Sequence, residues 1–231
     1  MHAFKGRAIA SFIVIAVIAL AIALAWWRHS LEPGVEDRSK PVIDAAKDIV
    51  DPANEGRLVR ISGGLVVDGG ALDQELGIAS DAAVLLRSVE MYQWQEQCIA
   101  DACGQNGAWS SQRIDASRFR EQAGRENPGE LPFKNARFDA REVRLGVHVV
   151  DVRLLDQAES IVRPVYVREL HPNLAAIFRD DSGVLYSGED PGAPAIGDLR
   201  VSYRIVPAAQ MTLVGVQNGD RLIADNTTRN D

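Results

Sequence analysis

Asp198-Leu199-Arg200-Val201-Ser202-Tyr203-Arg204-Ile205-Val206 is the stretch whose reading decides the fold. Apolar residues stand at 199, 201, 203 and 205, with polar ones between them. A period of two belongs to a strand with one dry face and one wet face. The same rhythm starts at Leu85 and passes through Val89 and Met91. It slips near Trp94, where a bulge is expected. Trp109 lies beyond a short insert, so residues 84–98 and 108–114 are expected to pair as a hairpin.

Further strands are expected on both sides of these two. Residues 58–67 read as one or two short strands interrupted by glycines, with Gly63-Gly64 and Gly69-Gly70 as turns or bulges. No Lys-Ser/Thr follows those glycines, so they are not phosphate-loop material. Val143, Leu145, Val147 and Val149 alternate with Arg144, Gly146 and His148, which predicts one strand over 142–150 with His148 on its outer face. Short strands are expected at 165–170, 176–178 and 184–186. Asn218-Gly219 is a two-residue hairpin signal joining 211–217 to 221–224. Asp115 or Ser117, and later Asp151, are placed to cap short helical turns.

The amino terminus differs in kind. Ile9 to Trp27 carries no charge, no Pro and no Gly over nineteen residues. A helix of that length spans roughly 30 Å, the thickness of a bilayer core. Lys5 and Arg7 precede it, which predicts a cytoplasmic amino terminus and an extracytoplasmic domain, periplasmic or lumenal. A cleaved signal peptide is the alternative, with Ala23-Leu24-Ala25 as its processing site. The expected organisation is an anchor at 1–28, a tether at 29–51 and a β-rich domain at 52–231. The expected class is α+β: a single transmembrane helix, then mainly antiparallel strands with a few short helices.

Composition excludes some functions. Net charge is -7, the pI is near 5.2 and aromatics are 6% of 231 residues. A nucleic-acid partner would call for a basic patch or a stacking platform. Cys98 and Cys103 flank the expected hairpin tip and suit a disulfide in an oxidising compartment; two free thiols are the alternative. His2, His29, His148 and His171 are scattered, with no second Cys pair, so no metal ligands, cofactor or catalytic residues are assigned. No Gly-x-Ser-x-Gly or HExxH motif is present.

Asn54-Glu55-Gly56-Arg57, Val89-Glu90-Met91-Tyr92-Gln93-Trp94 and Gly197-Asp198-Leu199-Arg200-Val201-Ser202-Tyr203 together resemble the transmembrane protein 43 family, also called LUMA. Asn127-Pro128 and residues 186–194 fit the same order. The resemblance implies an amino-terminal membrane segment followed by a large domain outside the cytoplasm. Family members usually continue into further membrane helices, so it implies a bacterial-type or truncated member. It also implies a role in organising membrane-protein complexes, with the bilayer and other membrane proteins as partners; homo-oligomers are left open. It carries over no catalytic residue. The expected function is therefore a non-enzymatic scaffold, with a lipid- or small-ligand-binding module or an envelope hydrolase as alternatives. Glu90, Met91, Tyr92, Gln93, Trp94, Gly197, Asp198, Leu199, Arg200 and Asn54 to Arg57 are the candidate residues, structural or interacting. A Glu90–Arg200 pair across adjacent strands is the structural reading of that set.

Overall fold

The structure, a computed structural model, describes residues 41–225. The strands are β1 (Ile43–Asp44), β2 (Leu58–Asp68), β3 (Ala71–Asp73), β4 (Ile78–Ser80), β5 (Val84–Ile99), β6 (Ala102–Ser110), β7 (Ala136–Asp139) and β8 (Glu142–Leu145). They continue with β9 (His148–Val150), β10 (Ile161–Arg163), β11 (Arg179–Asp181), β12 (Val184–Tyr186), β13 (Leu199–Val206), β14 (Gln210–Asn218) and β15 (Arg221–Ile223). One four-residue α-helix, α1 (Pro172–Ala175), and short 3-10 turns complete the described elements.

This overturns the expected α+β class. Among the described residues the fold is β-rich with one short helix, and it contains a closed barrel. β2 pairs with β14, β14 with β15, β15 with β9, β9 with β8, and β8 returns to β2. Two pairings, β1 with β2 and β9 with β15, are parallel. Alternation announces a strand but not its partner, so closure leaves no local trace in the sequence. The run at 9–27 and the expected anchor lie outside the described residues. Among the described residues no helix is long and apolar enough to cross a membrane.

The second sheet is antiparallel and centred on β13 and β5, which pair from Leu199–Met91 to Val206–Val84. β12 and β10 share the outer edge of β13, and β11 lies beyond β12. β7 and β6 share the other edge of β5. The distal part of β5 and β6 projects as a two-stranded arm.

Alternate residues of β5 and β13 serve two cores. Leu85, Val89, Met91, Leu199, Val201 and Tyr203 pack on one face, with Leu185 and Phe178. Val84 and Val206, of the opposite parity, join the barrel interior beside Ile61, Leu145 and Leu222. Val89 and Val201 are completely buried, a burial that stabilises by about 1.5–3 kcal/mol for such a side chain. Beneath the first face lies an ion cluster. Asp73 accepts from Arg87 Nη1 at 2.7 Å, the Tyr203 hydroxyl at 2.6 Å, and the backbone amides of Glu75 and Leu76 at 3.0 and 3.2 Å. Arg87 also donates to Glu75 at 2.6 Å and to the Lys134 carbonyl at 2.9 Å. The cluster fastens the β3–β4 hairpin to the sheet.

Several local expectations are corrected. Gly63-Gly64 is neither a turn nor a bulge but lies inside β2, paired with Met211 and Gln210. Residues 142–150 form a hairpin rather than one strand. Gly146 turns the chain at φ +61°, where an added Cβ would collide with the Lys47 carbonyl. The turn shifts the parity, so His148 faces inward and is fully buried. Residues 167–169 form a 3-10 turn, with Glu169 accepting from the Tyr166 amide at 2.9 Å. Residues 176–178 follow α1 and are not a strand. β5 and β6 pair without interruption from Met91–Ser110 to Ile99–Ala102, so no bulge occurs at Trp94 and the return strand starts earlier than expected. The β14–β15 turn is Gly219-Asp220, one residue later, because Asn218 pairs with Arg221.

Candidate functional site

Glu90, Tyr92 and Trp94 have the parity of β5 that points away from the first core, and Arg200 has the matching parity of β13. All four are partly exposed. Glu90 and Arg200 are directly opposed in the ladder, and Arg200 Nε donates to Glu90 Oε2 at 2.6 Å. Their side chains are 31% and 40% exposed, so the pair is held by geometry rather than by burial.

Three rings frame the pair. The Arg200 guanidinium lies over Trp109 at 4.5 Å from the ring centroid. Trp109 is opposed to Tyr92 in the β5–β6 ladder, with ring centroids 5.3 Å apart. It meets Tyr186 edge-on at 6.2 Å. Such contacts add about 0.5–1.5 kcal/mol each beyond burial, and they fix the rotamer of the cation. Gly107 leaves room for the Tyr92 ring; a Cβ there would overlap it. Farther along the face, Arg125 stacks over Trp94 at 4.2 Å.

Tyr186 is nearly inaccessible and donates to Asp198 Oδ2 at 2.5 Å. Burial first, and then the Asp198 carboxylate, push its phenol well above the ordinary tyrosine range. Its hydroxyl ties β12 to the loop before β13. Asp198 also accepts from the Ala195 amide at 2.8 Å and so shapes the loop before β13. Gly188 fits against this bond because any side chain would displace Asp198 or Tyr186. The backbones of Gly197 and Asp198 continue the ladder onto Tyr92, with both hydrogen bonds at 2.8 Å.

The remaining candidates lie in the core, on the barrel and along the arm. Met91 and Leu199 are opposed to one another within the first core. Gln93 is fully buried; it donates to the Gln112 carbonyl and accepts from the Ile114 amide, each at 2.9 Å. Asn54 to Arg57 stand on the barrel, away from the sheet face. Gly56 N donates to the Gln217 carbonyl, Gln217 N to the Arg57 carbonyl, and Gly219 N to Glu55. Gly56 makes this clamp at φ +69°. Cys98 and Cys103 are joined by a disulfide near the arm tip.

The sequence reading missed Trp109 and Tyr186 as members of the face. The available signal was aromatic residues on strands next to Tyr92 and Arg200. It also missed Asp73 and Arg87, since Asp73 sits in what reads as a polar connection. Ser88 and Ser202 oppose each other on the face, but among the described residues no serine is hydrogen-bonded to a histidine.

These features define a class: a two-part β-domain, barrel and sheet, whose sheet presents a half-exposed aromatic and ionic surface. The chain belongs to the transmembrane protein 43 family, whose model matches residues 91–230. It is 29% identical to rat transmembrane protein 43 over 205 residues, covering 79% of this chain and 50% of that protein. Identity to the human protein is 29% over 204 residues, with the same coverage. The fruit-fly homologue, from Drosophila melanogaster, is 24% identical over 191 residues, 76% of this chain and 50% of that one. The chain thus spans about half the length of the curated relatives it matches. It is a member of a family of membrane proteins. No solved structure matches it.

Proposed function

We propose that this domain is a non-enzymatic interaction module of a membrane-associated protein, which organises membrane-protein complexes through the Glu90–Arg200–Trp109–Tyr92 face. One observation carries the reading: a cation, a carboxylate and aromatic rings held in fixed rotamers yet left partly open to solvent. Trp, Tyr and Arg are the residues that most often anchor protein interfaces, because they bring large area at modest entropic cost. Membership of the transmembrane protein 43 family supports a partner within the membrane. The domain lies on the extracytoplasmic side, with the amino terminus in the cytoplasm. Lys5 and Arg7 before the uncharged run favour that orientation, and a disulfide fits an oxidising compartment.

The test places a photo-crosslinking residue at Ser202, within the face, and a control at Val66, exposed on β2 of the barrel, in the full chain in its own membranes. Adducts with membrane proteins from 202 that vanish in Trp109→Ala are expected. No adducts, or the same adducts from 66, would sink the reading.

A second reading rests on its own observation. A groove of about 410 Å³ is lined mainly by apolar residues, among them Leu154, Ile161, Met211, Leu213 and Val214. Its size suits a small apolar ligand, and lipid co-purifying with the chain would favour that alternative.

A further inference from the structure

Near the tip of the β5–β6 arm, Glu96 is opposed to Gln105, and Cys98 to Cys103. Residues two apart on a strand share a face, so the four side chains form one block. One Glu96 carboxylate oxygen and both sulfurs lie within 4.8 Å of one another. We propose that this block is a redox-gated metal site: after a dithiol opens the Cys98–Cys103 bond, the two thiolates and Glu96 bind one zinc-class divalent cation.

The chemistry balances. The disulfide takes up two electrons and two protons, and the dithiol closes to its own disulfide. Metal binding then releases both thiol protons.

The geometry is close to what a metal needs. Zinc bonds of about 2.3 Å to sulfur and 2.1 Å to oxygen, at the tetrahedral angle, put sulfur and oxygen roughly 3.6 Å apart. Cys98 Sγ and Glu96 Oε2 are 3.8 Å apart. The carboxylate is already oriented. Gln105 donates to Oε1 at 2.8 Å and the Arg120 amide donates to Oε1 and Oε2 at 2.9 and 3.3 Å. Such outer hydrogen bonds typically govern metal affinity by about 10–100-fold. A recess of about 330 Å³, lined by Glu96, Cys103, Gln105, Asp101, Arg120 and Glu121, leaves space for a water or a further ligand.

The fold permits the exchange. Cys98 is exposed, so a reductant can reach the bond. The ladder between 91–99 and 102–110 holds the arm whether or not the sulfurs are joined. The bond closes a short loop, so it constrains the unfolded chain less than a longer crosslink would.

The experiment uses the full chain in detergent, reduced with a phosphine and freed of excess reductant, and titrates it with Co²⁺ as the probe. One equivalent should bind with thiolate-to-cobalt charge transfer and tetrahedral d–d bands. The oxidised chain and Cys103→Ser should show neither. Glu96→Gln should keep the charge transfer and lose at least tenfold in affinity. In the unaltered reduced chain, Zn²⁺ should protect both thiols together from alkylation, which needs no substitution. Reduced chain that binds Co²⁺ no better than Cys103→Ser, or thiols that Zn²⁺ leaves open to alkylation, would overturn the proposal. Glu96→Gln binding as tightly as the native chain would remove the carboxylate and overturn the three-ligand site.

Discussion

The sheet of β5 and β13 carries an arginine–carboxylate pair on each face, and the two differ in their surroundings. On the inner face Arg87 and Asp73 are 4% and 0% exposed, and Asp73 receives four hydrogen bonds. On the outer face Arg200 and Glu90 are mostly in contact with one another, Trp109 and water. A buried charge is costly without its partner, so the inner pair is bound to the fold. A partly exposed pair contributes little to folding, which leaves the outer one free for the interaction role proposed above.

The largest effect that could break this contrast is on the inner face. Asp73→Asn leaves Arg87 buried without its counter-charge, and denaturant unfolding should show a loss of about 3–5 kcal/mol. A loss below about 1 kcal/mol would mean that Glu75 alone satisfies Arg87.

The next effect is on pH. Burial and the Asp73 carboxylate raise the Tyr203 phenol, as burial and Asp198 raise Tyr186. A raised folded value adds stability below the unfolded value, near 10 for tyrosine, and that stability declines as pH rises above it. Unfolding free energy should therefore fall above about pH 10 by up to ~1.4 kcal/mol per pH unit for each such tyrosine. Tyr203→Phe should flatten the slope; an unchanged slope would refute the assignment.

On the outer face, Arg200→Ala loses the partly exposed ion pair and the contact with Trp109, and should cost about 1–2 kcal/mol while removing the crosslinks expected from Ser202. A cost near that of Asp73→Asn would make the outer pair structural as well, and erase the contrast.

The smallest effect concerns the barrel. His148 is buried with neither ring nitrogen hydrogen-bonded. Replacing such a group by an apolar one of similar shape is nearly neutral or stabilising, so His148→Leu should leave the unfolding midpoint unchanged or raise it. A clear loss would point to a buried water on the ring.

These cases also show what a sequence can disclose. β13 was legible because apolar and polar residues alternate from Leu199 to Ile205, and only Val206 leaves the pattern to enter the barrel core. The Glu90–Arg200 pair followed from two such strands side by side. His148 was misplaced because Gly146 and Val147 turn the chain inside an alternating run, and the turn exchanges the inward and outward sets. Trp109 belonged to an expected strand, but its register against Tyr92 depends on the arm's length. The barrel was illegible because its closing contacts join residues far apart in the chain. Asp73 read as a loop acid, since nothing nearby in sequence announces Arg87 and Tyr203.

The ring of β2, β14, β15, β9 and β8 bears on the order of events during synthesis. β2 contributes Leu58 to Gly64 to one neighbour, and that neighbour is β14, some 150 residues later. The first long strand therefore leaves the ribosome with this edge unpaired until nearly the whole domain has followed. At ~5–20 residues per second the wait is of order ten seconds, much longer than the milliseconds to seconds in which such β folds form. During that interval the β2 edge is open to foreign strands, and a chaperone is the natural guardian of the nascent chain.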